Sequence, residues 1–201
     1  MTNLPIDLDS ILAHLVPGLI ALVGIAFLWP GLQRLFGMLK AVPSGTTLFA
    51  LMLGALVIGL VLSDIRTAVL DQSFRLNLSW IPFFDRPSFA PMPTEPDAVV
   101  YDNLIKEGHL NALNAAVHNE QTPYRFHGNT LLAITFLVCS WIIALSRDAA
   151  RGTATRGATV KGIVLAAALF VFALIVMYPA FRNHYYNYKN AITAINKASE
   201  N

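Results

Sequence analysis

Three histidines give this sequence its clearest potential for metal chemistry. His109, His118 and His127 recur every nine residues. Three acids lie among them: Asp102, Glu107 and Glu120. A zinc site on a helix favours ligands at spacings such as i and i+4. A spacing of nine places His109 and His118 on opposite faces of one helix, so we expect no metal site here.

Other patterns of catalysis or cofactor binding are also missing from the sequence. It has no nucleophile spaced to a base, no glycine-rich phosphate loop and no paired carboxylates. The single cysteine, Cys139, lies in an apolar run, and one cysteine cannot form a disulfide within a chain. The net charge of +2 does not indicate a nucleic-acid partner. We therefore expect a protein that is not an enzyme and binds no cofactor.

The composition points to a membrane as the environment of these residues. Of the 201 residues, 55% are hydrophobic and 13% are charged. Soluble domains average about 25% charged residues, so a water-soluble fold with this composition could hardly cover its surface. The lipid bilayer is therefore the first expected partner.

Four apolar runs predict an all-α membrane protein with four transmembrane helices. They cover residues 11–36, 47–62, 131–145 and 162–178. A span needs about 20 residues, so the second and third helices are expected to extend into flanking sequence. Pro17 interrupts the first run, either as a helix break that lines a cavity or as an ordinary kink.

A long insertion separates the second and third spans. Its proline-rich part, residues 82–96, predicts an extended strap, and residues 97–119 predict a helix that Thr122-Pro123 ends. The predicted organisation has four parts: transmembrane helices 1 and 2 in 1–63, an extramembrane loop subdomain in 64–129, transmembrane helices 3 and 4 in 130–181, and a helical tail in 182–201.

Basic residues predict the orientation in the membrane. The two short loops between spans carry six of them and one acid, Asp148: Arg34, Lys40, Arg147, Arg151, Arg156 and Lys161. Short loops rich in Lys and Arg stay in the cytoplasm. Both termini and the long insertion are therefore predicted on the periplasmic or outer side.

The tail carries a stripe of large apolar residues. These are spaced 4, 3, 4 and 3: Phe181, Tyr185, Tyr188, Ile192 and Ile195. This is the pattern of a coiled-coil seam, which predicts a homo-oligomer. The same stripe can instead dock on the outer loop of its own chain.

Small residues four apart indicate close helix packing within or between chains: Ala50 with Gly54, Ala55 with Gly59, and Gly162 with Ala166.

Three segments resemble a family of uncharacterised bacterial four-helix inner-membrane proteins. They are LVPGLIAL at 15–22, GLVLSDIRTAVLD at 59–71 and YRFHGNTLLAI at 124–134. His127 stands where that family is expected to have an aromatic residue. The resemblance implies the same four-span architecture in a bacterial inner membrane, and it implies no activity.

The resemblance directs attention to six residues at one membrane edge. They form a predicted structural polar cluster: Asp64, Arg66, Asp71, Tyr124, Arg125 and Asn129. Each arginine can meet an aspartate there, and Asn129 can bond to a neighbouring helix. We hypothesise that the cluster locks the second and third spans together.

The sequence supports two main functions of different kinds. The first is a membrane scaffold or accessory subunit that holds a protein partner through the outer loop or the basic cytoplasmic loops. The alternative is a homo-oligomeric pore or membrane-perturbing effector, with antiphage defence as an analogy of architecture. A small transporter is less favoured, because spans three and four contain no Asp, Glu, Lys, Arg or His and their one cysteine is Cys139.

Overall fold

The structure is a computed structural model that describes residues 8–29, 31–32, 44–71, 106, 108 and 110–199. Four helices in the described residues are long and apolar enough to cross a membrane, which confirms the predicted number of such helices. The helices are α1 (Leu8–Leu28), α2 (Ser44–Arg66), α3 (Leu110–Ala116), α4 (Thr122–Ala150) and α5 (Arg156–Ser199).

Several predicted features lie outside the described residues. These are the strap at 82–96, the loop residues Arg34 and Lys40, and three of the residues considered and rejected as a metal site: Asp102, Glu107 and His109. The side chain of Asp71 also lies outside the described part of the structure. The insertion is therefore described only from residue 106 onward, with gaps.

The two shorter apolar runs extend into flanking residues, as their length requires. α2 covers 23 residues and continues into a π-helical turn, Thr67–Asp71. α4 covers 29 residues. At 1.5 Å per residue, both are long enough for a hydrocarbon core of about 30 Å.

The predicted helix end at Thr122-Pro123 is replaced by an irregular turn. α3 runs into a π-helical turn, Val117–Gln121, and then directly into α4. Pro123 has no N–H for the carbonyl of residue 119, and its ring crowds the preceding turn. A π-helical turn immediately before the proline absorbs this misfit without ending the helix.

The four spans form an open arrangement. α1 packs along both α2 and α4, α2 makes a small contact with α4, and α5 packs against α4. Only 11% of the apolar segment of α5 is buried within the chain, against 44% for α4. α4 therefore joins the α1–α2 pair to α5, and most of the surface of α5 is left for lipid or another protein.

At one end of the spans, Arg147 of α4 closes the C-terminus of α1. Its guanidinium donates hydrogen bonds to the carbonyls of Phe27 and Leu28, at 3.3 and 3.4 Å. The last carbonyls of a helix have no partner within the helix, so an arginine here satisfies them. Phe27 also stacks on Trp141, with ring centroids 6.2 Å apart.

At the opposite end, two helices continue past the spans as a pair. α5 has 44 residues and is about 66 Å long, roughly twice the hydrocarbon thickness. Its C-terminal part packs against α3 in a small core formed by Leu113, Ala116, Tyr188 and Ile192. We call α3, the π-helical turn Val117–Gln121 and α5 from Phe181 onward the stalk.

Candidate functional site

The candidate site is a buried group where the spans meet the stalk. We call His14, Arg66, Tyr124, Asn129 and Phe181 the polar junction. Their exposed fractions are 9%, 3%, 5%, 0% and 0% respectively, so all five are buried. They come from α1, α2, α4 and α5, and the junction therefore holds all four spans at one level.

Asn129 repairs the helical hydrogen bond that Pro17 removes. In a regular helix the N–H of residue 17 would bond to the carbonyl of Ala13, and proline has no N–H. α1 is nevertheless continuous through Pro17. The side-chain amide of Asn129 donates to the Ala13 carbonyl across the helix interface, at 3.3 Å. A freed carbonyl in a membrane needs such a partner, so the structure favours a bridged proline over a broken helix.

His14 lies beside the same amide. Its Nδ1 atom is 3.5 Å from Nδ2 of Asn129, at the outer limit of a hydrogen bond. Asn129 thus contacts two consecutive residues of α1. The predicted hydrogen bond from Asn129 to a neighbouring helix is present, and that helix is α1.

Two glycines bring α1 and α2 into backbone contact next to the junction. A Cβ atom at Gly18 would overlap the carbonyl oxygen of Ala55, and one at Gly59 would overlap that of His14. Each glycine thus faces a backbone carbonyl of the other helix, with no room for a side chain between them. The predicted small pair Ala55 and Gly59 therefore packs against another helix of the same chain.

Arg66 joins α2 to α4 through the face of an aromatic ring. Its guanidinium carbon lies 4.2 Å from the ring centroid of Tyr124, which is a cation–π contact. Nη2 also donates a hydrogen bond to the Thr67 hydroxyl at 3.1 Å. Gly128 makes room for this contact, because a Cβ atom there would lie 2.6 Å from Cδ of Arg66 and 2.7 Å from the Phe181 ring.

Tyr124 is also the centre of an aromatic cluster with α5. Its ring centroid lies 5.4 Å from Phe181, 5.5 Å from Tyr185 and 6.4 Å from Tyr188. These separations fall within the favourable range for aromatic pairs. Tyr124 therefore contacts α2 on one side and α5 on the other.

The structure describes five of the six residues of the predicted polar cluster, all but the side chain of Asp71. Arg66 and Tyr124 are in contact, and Asn129 is buried nearby against α1. Asp64 is exposed and forms no ion pair among the described residues, while Arg125 is half-buried. Among the described residues, Arg66 contacts the Tyr124 ring and the Thr67 hydroxyl, and its predicted pairing with Asp71 lies outside them.

The predicted oligomer seam faces its own chain. Phe181, Tyr185, Tyr188 and Ile192 are each at most 4% exposed, and Ile195 is partly buried. Phe181 and Tyr185 pack on Tyr124, whereas Tyr188 and Ile192 pack on α3. Of the two arrangements that the spacing allows, the structure has the stripe docked within the chain.

Sequence reasoning missed His14 as a member of this site and Gly128 as its neighbour, and it singled out Pro17 without identifying Asn129 as the donor. A detectable signal was available for Pro17, because a proline inside a span implies a donor on a neighbouring helix. Among the described residues, no group of three or more His, Cys, Asp or Glu side chains is placed to hold a metal ion.

Comparisons with known proteins add nothing to this geometry. The chain matches no protein-family model, no curated protein and no solved structure. The resemblance to a bacterial four-helix family therefore stays a prediction. Chemically, the junction supplies hydrogen bonds, a cation–π contact and aromatic packing between helices, which are the contacts that fix helix positions in a membrane.

Proposed function

We propose that this protein is a non-enzymatic membrane scaffold or accessory subunit that presents its stalk to a protein partner. The observation that supports this function best is the continuation of two spans into a packed pair of helices. α5 alone exceeds the hydrocarbon thickness by about 36 Å. A helix pair with its own small core is a rigid surface, and a rigid surface lowers the entropic cost of binding.

The exposed face of the stalk suits a polar contact. Asn183, Asn187 and Asn190 are exposed and spaced by four and three residues along α5. The aromatic residues on the buried face of the same helix hold this stripe in place. Asparagine side chains both donate and accept hydrogen bonds, so the stripe can pair with a polar partner surface.

The proposed location is a bacterial inner membrane, with both termini and the stalk in the periplasm. The turn between α4 and α5 supports this orientation. Arg151, Arg156 and Lys161 are all exposed there, and basic residues next to span ends favour the cytoplasmic side.

The homo-oligomeric pore is less favoured, because features that suggested self-association make contacts within the chain. The seam that suggested self-association packs within the chain. The small pairs Ala55–Gly59 and Gly162–Ala166 also face helices of the same chain: Gly162 lies against Leu145, and Ala166 is fully buried. Self-association is therefore the competing outcome in the experiment that follows.

The test combines the mass of the native complex with photo-crosslinking from chosen positions. A photoreactive amino acid replaces Asn183, Asn187 or Asn190 on the stalk. Phe172 and Ile175, exposed on the apolar part of α5, are the matched controls. Crosslinks from all three stalk positions to the same second protein, at a fixed stoichiometry in the purified complex, are expected.

Two results would overturn the proposal. The first is a discrete assembly of four or more copies with no other protein, which conducts ions when it is reconstituted into vesicles. The second is crosslinking between copies from Phe172 or Ile175 with none from the stalk, which would identify the spans as the interaction surface.

A further inference from the structure

Two histidines of different helices lie side by side at the base of the stalk. The ring centroids of His127 on α4 and His184 on α5 are 5.6 Å apart. Both side chains are half-buried, so part of each imidazole is exposed at the surface of the protein. The sequence places them 57 positions apart, and only the pairing of α4 with α5 brings them together.

Each histidine has one ring nitrogen held by an oxygen atom. Nδ1 of His184 lies 2.8 Å from a carboxylate oxygen of Glu120, and Nδ1 of His127 lies 2.8 Å from the carbonyl oxygen of Pro123. A carbonyl and an ionised carboxylate can only accept hydrogen bonds. Both Nδ1 atoms must therefore carry the proton.

The fixed tautomer has a consequence for the other ring nitrogen. In a neutral imidazole with a protonated Nδ1, the lone pair is on Nε2. Metal-binding histidines show this pattern: one nitrogen coordinates the metal while the other donates to a carboxylate or a backbone carbonyl. His127 and His184 both have it, with one acceptor of each kind.

We propose that His127 and His184 form a two-histidine site for a divalent transition-metal ion, of the class that imidazole prefers, such as Zn²⁺ or Cu²⁺. Their Nε2 atoms are the ligands, and Glu120 is a positioning residue that orients His184. Two protein ligands leave coordination positions for water or a donor atom of another molecule, which makes this an open site. The site would bridge α4 and α5. It does not depend on the proposed scaffold function.

The experiment measures ion binding to the full chain in nanodiscs without a polyhistidine tag. Titration with Zn²⁺ is expected to show one saturable site per chain. The substitutions His127→Gln and His184→Gln are each expected to abolish this site. Glu120→Gln is expected to weaken it by roughly 10–100-fold, as is typical when a partner of a metal-binding histidine is lost.

A spectroscopic measurement separates a real site from a structural effect of the substitutions. With Cu²⁺ as the probe, electron paramagnetic resonance is expected to show coupling to two imidazole nitrogens in the intact protein, and either histidine substitution is expected to remove this signal. His118→Gln is the matched control, because His118 is exposed in the same π-helical turn as Glu120 and contacts Asp9. That variant is expected to bind as the original protein does.

Three outcomes would overturn the metal site. They are no saturable binding to the intact protein, binding that survives both His127→Gln and His184→Gln, and a Cu²⁺ spectrum without imidazole coupling. None of them bears on the crosslinks expected from the stalk, so the two proposals fail separately.

Discussion

The contact between Asn129 and Ala13 shows how one residue can correct a defect in another helix. Pro17 leaves a carbonyl without its helical donor, and the amide of Asn129 provides a replacement from α4. The other amide atom, Oδ1, has no hydrogen-bond partner among the described residues. The side chain is therefore placed to donate a hydrogen bond to α1. Its contribution to the free energy of unfolding should depend on Pro17.

A double-mutant cycle tests this dependence. Asn129→Ala is expected to lower the free energy of unfolding by about 0.5–1.5 kcal/mol, because the Ala13 carbonyl loses its donor. In a Pro17→Ala background the same substitution should cost clearly less, since the N–H of Ala at 17 bonds to that carbonyl. Unfolding in mixed micelles, measured on all four proteins, gives the coupling energy.

An equal cost of Asn129→Ala in both backgrounds would show that Asn129 does not act through the proline. Thr135→Ala is a suitable control for a polar loss on α4. The Thr135 hydroxyl donates to the Leu131 carbonyl within its own helix. Its removal should cost the same with either residue at position 17.

The pairing of Arg66 with Tyr124 is a second contact at this scale. Arg66→Met and Tyr124→Leu are each expected to destabilise the protein, since each removes one half of the cation–π contact. Their coupling energy should be about 0.5–2 kcal/mol, the range for such contacts from exposed to desolvated sites. Chemical unfolding of the two single variants and the double variant measures it.

Reversing the charge of Arg66 is expected to change stability more than removing the charge does. Arg66→Glu places a carboxylate against the face of Tyr124, where the ring presents its negative side. We expect a larger loss of stability than with Arg66→Met. Unchanged stability and assembly after charge reversal would contradict the view that this residue fixes α2 against α4.

At the scale of elements, the crossing of α1 and α2 depends on backbone contact. Gly18 and Gly59 each face a carbonyl of the other helix. Gly54 lies on the same helix as Gly59, but a Cβ atom there would meet only a side-chain atom of Leu22, at an ordinary 3.8 Å. Gly54 and Gly59, both on α2, therefore form a matched pair for the same substitution.

Gly59→Ala is expected to destabilise the protein by about 1–3 kcal/mol, because the helices must separate to admit the new methyl group. Gly54→Ala should be neutral or slightly stabilising, since alanine is the better helix former and its methyl group makes only an ordinary contact with Leu22. Unfolding measurements on both variants decide between these outcomes. Equal effects at the two positions would mean that α1 and α2 do not cross at Gly59.

The stalk is the second element that the structure defines. Its core residues Tyr188 and Ile192 contact α3, although the spacing of the same residues resembles a coiled-coil seam. Ile192→Ala should therefore loosen the stalk, at a cost of about 2 kcal/mol or more. The measurement is the rate of proteolytic cleavage within the stalk, which is expected to rise in Ile192→Ala. Asn190→Ala, at an exposed position, is the control.

At the scale of the whole molecule, the same substitution separates docking within the chain from self-association. If the stripe docks within one chain, Ile192→Ala changes the rate of cleavage and leaves the mass of the assembly unchanged. If the stripe is an oligomer seam, the assembly dissociates. Measurement of the mass in nanodiscs, before and after the substitution, distinguishes the two.

The open arrangement of the spans also belongs to this scale. α5 contacts the other spans mainly through α4, and its outward residues include Phe172 and Ile175, at 63% and 67% exposure. In a bilayer such residues need no protein cover, because lipid chains are as apolar as they are. The exposed faces of α2 and α5 are thus compatible with a protein that spans the membrane as one chain.

The sequence by itself determined the number of spans, their approximate positions and the helical class. These properties follow from the local sum of apolar residues over a length set by the bilayer, so no tertiary information is needed. The four-residue spacing also identified Ala55 and Gly59 as a close-packing pair, whereas the family resemblance was needed to direct attention to Arg66, Tyr124 and Asn129.

Only the tertiary structure decided which residues meet. Asn129 bonds to Ala13, 116 positions away, Arg66 stacks on Tyr124, and His127 lies against His184. Such contacts depend on the relative height and rotation of whole helices, and several arrangements satisfy the same periodic pattern. The tail stripe illustrates this, because its spacing allows both a partner chain and its own α3. Helix packing selected the second.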